Sequence, residues 1–148
     1  MGMYIKGHVK PFQVMAGDYV KHEKFGVVEI IEAHTTSPYF IVKDMNEDVH
    51  LVLVGTLFPI PITTEFLEKN GFERIPWEKR RNKNGHVYDW KWKGWREELW
   101  LKYYETTDDY TIFNDIVILR YVHDLQQAAR LLQIYKNEDS ERDIVIVP

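Results

Sequence analysis

Tyr121, Val122, His123, Asp124, Leu125, Gln126 and Gln127 open the strongly amphipathic segment of this chain, two substitutions away from the helical signature of zinc-dependent proteases. That signature sets two histidines one turn apart with a glutamate after the first. Both imidazoles then face one metal ion, and the carboxylate acts on the bound water. Here Asp124 stands for the glutamate and Gln127 for the second histidine, so a ligand is lost. A zinc site at His123 would need at least two more protein ligands. His8, His22, His34, His50 and His86 stand at no ligand spacing from one another. The reading preferred is structural: His123 and Asp124 sit in the first turn of a helix, where the aspartate meets the positive end of the helix dipole.

A second constellation is basic and aromatic. Lys79, Arg80, Arg81, Lys83, Lys91 and Lys93, with Trp77 and Trp95, form a positive island in a chain of net charge −4. Cations that reach phosphates, interleaved with rings on which bases stack, are what a single-strand binding surface needs. The alternation of His86, Tyr88, Trp90 and Trp92 with Val87, Asp89, Lys91 and Lys93 weighs against it. In a strand it sends rings to one face and lysines to the other. Trp77 and Trp95, near strand ends, escape that objection. The acidic pairs Glu97-Glu98 and Asp108-Asp109 would need convergence in space to act as acid and base or to hold a cation; the second reads as a turn. There is no glycine-rich phosphate loop, no cysteine, and no nucleophile context around Ser37 or Ser140. No catalytic residue, metal or cofactor is therefore assigned, and an enzyme is disfavoured.

The elements that position these residues are mainly strands. A chain of 148 residues with 14% aromatics has room for one domain or two small ones. Its aromatic weight favours sheet over a helical bundle. No run approaches a signal peptide or a membrane span, so a soluble, cytoplasmic protein without membrane contact is expected. After an N-terminal arm, 1–16, short runs at 17–21, 25–31, 39–43 and 49–54 are separated by turn compositions such as Ser37-Pro38 and Asp44 to Asp48. Four to five strands in so short a stretch predict an SH3-like β-barrel over 17–62, closed because closure removes sheet edges. Its groove would involve Tyr19, Phe25 and Tyr39. A linking helix, 63–71, has Thr63 as N-cap and Gly71 as the left-handed residue past its end. Antiparallel strands follow over about 86–121, with 98–104 and 110–121 as single runs. The apolar run Ile116 to Leu119 is taken as covered on both faces. A helix over 121–135 packs on that sheet, and 143–147 adds a final strand through which two copies could pair.

Two phrases carry a resemblance. Pro59-Ile60-Pro61-Ile62-Thr63 with Phe66-Leu67-Glu68-Lys69-Asn70-Gly71-Phe72, together with Arg120-Tyr121-Val122-His123-Asp124-Leu125-Gln126, resemble a family of uncharacterised gut-bacterial (Bacteroides-type) proteins found near prophages and mobile elements. The likeness implies a shared fold over about 59–135 and a mobile-element origin, and no activity. Residues 17–26, Gly-Asp-Tyr-Val-Lys-His-Glu-Lys-Phe-Gly, are similar to the first hairpin of CarD-type Tudor-like modules, with Val28 where that hairpin has a second glycine.

The sequence thus predicts an α+β, mainly β protein: a small barrel followed by an antiparallel sheet packed by a C-terminal helix. Its expected role is a non-enzymatic interaction or accessory protein with a protein partner. The alternatives are a nucleic-acid-binding module using 77–96 and a cryptic metal-dependent hydrolase around His123.

Overall fold

The computed structural model describes residues 13–34, 36–76, 86–92, 100–105, 107–112, 117–134 and 148. They form two compact units, the first running to Pro61 and taking in Tyr121–Gln127, the second running Ile62–Arg120 and taking in the helix from Ala128. The protein is mainly β, with two antiparallel sheets and a short helix near the C-terminus.

The first unit is a meander of β1 (Tyr19–His22), β2 (Gly26–Glu32), β3 (Tyr39–Asp44) and β4 (Val49–Leu53), followed by one 3-10 turn (Val54–Thr56) and β5 (Leu57–Phe58). Period-two alternation puts Val20, Val28, Ile30, Phe40, Val42 and Val52 on one face, where with Val14 and Leu57 they form the core. The β1–β2 turn ends at Gly26 with φ 72°, a left-handed conformation that costs glycine little. The chain then returns, so that β5 pairs with β1 through Lys21↔Phe58 and His22↔Leu57. The strand order is β4-β3-β2-β1-β5, with no pairing between β4 and β5. The expected closure of an SH3-like barrel is therefore not present. The two-residue β5 pairs with β1, and among the described residues β4 is left as an edge.

The second unit opens with α1 (Thr64–Lys69). The Thr63 side chain caps it by accepting the Phe66 N–H at 3.1 Å, and Gly71, φ 84°, follows its end. Its sheet runs β10-β9-β8-β7-β6 from β6 (Phe72–Pro76), β7 (His86–Trp92), β8 (Trp100–Tyr104), β9 (Asp109–Ile112) and β10 (Val117–Leu119). The single run expected over 110–121 is thus two strands, paired with each other at Val117↔Ile112. Ile118 is 53% exposed, so the last run is not covered on both faces. Phe72–Pro76, which lies before the strands expected over about 86–121, also belongs to the sheet and pairs along β7.

In α2 (Val122–Ile134) most side chains of the first two turns are buried, including the polar His123 and Gln126. Polar partners explain this for Gln126. Gln126 serves the backbone of β1, and Gln127 donates to Asp18 Oδ2 at 2.8 Å and to the Gln13 carbonyl. No helix among the described residues is long and apolar enough to cross a membrane.

Candidate functional site

The exposed edge of the first sheet follows from hydrogen-bond parity. In an antiparallel ladder, opposed residues alternate between pairs that bond to each other and pairs that do not. The β3–β4 register runs from Tyr39↔Leu53 to Lys43↔Val49. Its bonded pairs are fixed at both ends, by Val54 N–H to Pro38 C=O at 2.8 Å and Asp44 N–H to Asp48 C=O at 2.9 Å. Counting inward by two, Val52 and His50 bond to β3, Val49 and Leu51 turn their N–H and C=O groups outward, and Leu53 turns its N–H outward while its carbonyl accepts the Thr56 hydroxyl at 2.6 Å. The same residues carry their side chains on the outer face, 63%, 68% and 46% exposed. Backbone donors and acceptors and apolar side chains are thus presented together, on a strand whose outward residues include no charge, proline or bulge. Those are the devices by which edge strands are ordinarily blunted.

The edge is held by the turn behind it. Asp44 Oδ1 accepts the N–H groups of Asn46 at 2.9 Å and Asp48 at 3.0 Å, and Oδ2 lies 2.8 Å from His50 Nε2. Glu47 takes the left-handed position, φ 67°. The bond from His50 holds Asp44 below the ordinary carboxylate range; burial opposes this, and the two amides reinforce it. The His50 ring stacks on Phe25 at 3.8 Å, and Phe25 stacks on His22 at 4.7 Å. His22 Nδ1 accepts the N–H groups of Lys24 and Phe25, which fixes its remaining proton on Nε2. Burial lowers the His22 pKa; Glu23 pulls the other way, and His50 and Lys24 add to the lowering.

Sequence reasoning grouped Tyr19, Phe25 and Tyr39 in one groove, and the structure does not bring them together. Phe25 is locked between two imidazoles and packs against the core. Tyr19 and Tyr39 lie on the outer face in separate rows. Tyr19 faces Glu29, which faces Lys43 and then Val49, while Tyr39 faces Leu53. A Lys43–Glu29 ion pair of 3.3 Å crosses the first row. Trp77, Lys79, Arg80, Arg81, Lys83, Lys93, Trp95 and the strand expected over 143–147 lie outside the described residues. Lys91 is described, and its Nζ sits 5.4 Å from the centre of the Trp100 ring.

His123 is 2% exposed and stacks on Tyr121. Its Nε2 lies 3.4 Å from Asp124 Oδ1, and its Nδ1 has no hydrogen-bond partner among the described residues. Burial lowers its pKa, with Asp124 and Asp18 opposing. Asp124 itself reaches back to the Tyr121 N–H at 3.0 Å, half of a capping box. The near-protease motif is thus a helix start. Among the described residues no three His, Asp or Glu side chains gather as a metal site.

In the second unit a cavity of about 290 Å³ has Trp90 and Tyr110 among its lining, with Arg74, Thr63, Tyr103 and Asp108. The Tyr103 hydroxyl donates to Asp108 at 2.8 Å. Both phenols are pushed up to about 12, chiefly by burial and then by Asp108. The cavity therefore presents protonated hydroxyls at neutral pH, and its one carboxylate already accepts one of them. Sequence reasoning missed it, and missed the β4 edge as a site. The alternation Val49-His50-Leu51-Val52-Leu53 was a signal for the strand, and nothing local says that a strand lies at an edge. Compared with protein-family models, curated proteins and solved structures, the chain matches none.

Proposed function

We propose that this is a non-enzymatic interaction protein whose first unit, an open SH3-like sheet, takes up an extended polypeptide strand along β4. The observation that carries the reading is the coincidence of exposed apolar side chains at Val49, Leu51 and Leu53 with the outward N–H and C=O groups of Val49 and Leu51 and the outward N–H of Leu53. Strand addition draws affinity from main-chain hydrogen bonds and specificity from alternate side chains, and β4 supplies both. The Asp44 turn and the ring stack on His50 pre-organise the strand, which lowers the ordering cost of binding.

A photoreactive residue at position 51, with a control at exposed Glu65 on α1, tests the proposal in native-host extract and in purified protein. Adducts to a polypeptide from position 51, absent at 65 and abolished when Val49→Pro removes an outward N–H, are expected. Equal labelling at the two positions would sink it.

A further inference from the structure

We infer that the strand which docks on β4 is β4 of a second copy of this chain, forming a two-fold dimer centred on Leu51. The inference rests on β4 being a docking edge and goes further by naming the occupant. An isologous pair requires one patch to complement itself, and the outward residues of β4, Val49, Leu51 and Leu53, are apolar on both sides of Leu51. Antiparallel pairing about Leu51 sets Leu51 against its counterpart and Val49 against the partner's Leu53. Parity turns the Leu51 N–H and C=O, the Val49 C=O and the Leu53 N–H outward, so the Leu51 pair exchanges two hydrogen bonds and each Val49–Leu53 pair makes one, from Leu53 N–H to Val49 C=O, the Leu53 carbonyl being held by the Thr56 hydroxyl.

The flanking rows agree. Ile41 lies behind Leu51, Tyr39 behind Leu53 and Lys43 behind Val49. Across the axis Lys43 therefore falls in the row of the second copy's Tyr39, and the two Lys43 ammonium groups occupy opposite rows. No like charges meet, which is what specificity for a partner requires. Length argues against the open-ended alternative. The other edge among the described residues, β5, has two residues, Leu57 and Phe58, so a β4-to-β5 contact would leave most of β4 unpaired and would propagate into filaments. Pairing β4 with β4 uses the whole strand and closes after two copies. A contact of one five-residue strand is smaller than a standard interface, so the dimer is weak, with a Kd on the order of 10–100 µM.

The chain has no cysteine, so a single introduced thiol reports the register. Sedimentation equilibrium over a concentration series should show a monomer–dimer equilibrium for the native protein, weakened at least about tenfold by Leu51→Lys, which places two ammonium groups on the axis. Under mild oxidation Leu51→Cys should cross-link, since a bonded cross-strand pair has a Cα separation of about 5.5 Å, within disulfide reach. Leu53→Cys should not cross-link alone and should do so when mixed with Val49→Cys. Circular dichroism on each variant confirms the fold. A protein that stays monomeric at several hundred µM, or thiols that cross-link equally at 51 and 53, overturns the dimer. If position 51 still captures a different polypeptide, strand addition stands and only the second copy is lost. If it captures none, both fall.

Discussion

The side-chain Oε1 of Gln126 accepts the backbone N–H of Tyr19 at 2.8 Å, and its Nε2 donates to the Gly17 carbonyl at 3.0 Å. One helical amide thus serves a donor and an acceptor at the start of β1, a strand more than a hundred residues away in sequence. Gln126→Leu keeps the volume and leaves both backbone groups unpaired beside a buried side chain. A loss of about 1–3 kcal/mol is expected, read as a lower urea midpoint. An unchanged midpoint would mean that the amide contributes packing alone.

His22 and His123, the buried histidines among the described residues, set an acid limit. Burial lowers the pKa of both His22 and His123; Glu23 pulls against it at the first, Asp124 and Asp18 at the second. In the unfolded chain each titrates near roughly 6.5. Below that pH the unfolded state takes up protons that the folded state refuses, so stability falls as pH drops from about 6.5 through the folded values, and is fully present above it. His123→Phe removes one of the two sites and the unpaired Nδ1. Its melting temperature should fall less than the native protein's between pH 6.5 and 5. Parallel slopes would exclude His123 as a contributor.

Much of this was legible along the chain, and what was not has a common cause. Thr63 and Gly71 announce α1 because capping is local chemistry, and the strand runs of the first unit announce themselves by alternation. Closure was misjudged because it depends on where β5 lands, which the composition of Leu57 and Phe58 does not encode. The strand Phe72-Glu73-Arg74-Ile75-Pro76 carries charges and a proline, and it is a strand because β7 pairs with it. Only the Asn114-Asp115 composition signalled that 110–121 held two strands. The burial of Gln126 depends on Gly17 and Tyr19, partners that no helical periodicity reveals.

Asp44 governs the hairpin that presents the edge. Asp44→Ala deletes the acceptor of the Asn46 and Asp48 amides and the partner of His50. Faster hydrogen exchange at the His50 and Val52 amides is expected, because these bond to β3 and report fraying of β4. The native hairpin should weaken in the same way in acid: the Asp44 pKa is depressed, so its contribution is present above an unfolded value of about 3.9 and lost as pH falls through the folded one. Unchanged exchange in the variant would assign the hairpin's order to the ring stack instead.

In the second unit, Asp108 holds a left-handed backbone, φ 52°, while accepting the Tyr103 hydroxyl at 2.8 Å. Asparagine tolerates that conformation and keeps an oxygen acceptor, so Asp108→Asn should fold with the native midpoint within about 0.5 kcal/mol. A β-branched residue has neither property, and Asp108→Val should lose about 1–2 kcal/mol. The charge is what Asn removes. Tyr103 ionises at about 12 because of burial, then its bond to Asp108, then the Asp108 charge, and Tyr110 at about 12 because of burial and the same charge. Alkaline titration followed at the tyrosinate absorbance should therefore show the late-ionising phenols moving to lower pH in Asp108→Asn. A titration curve identical to the native one would show that burial alone keeps these hydroxyls protonated.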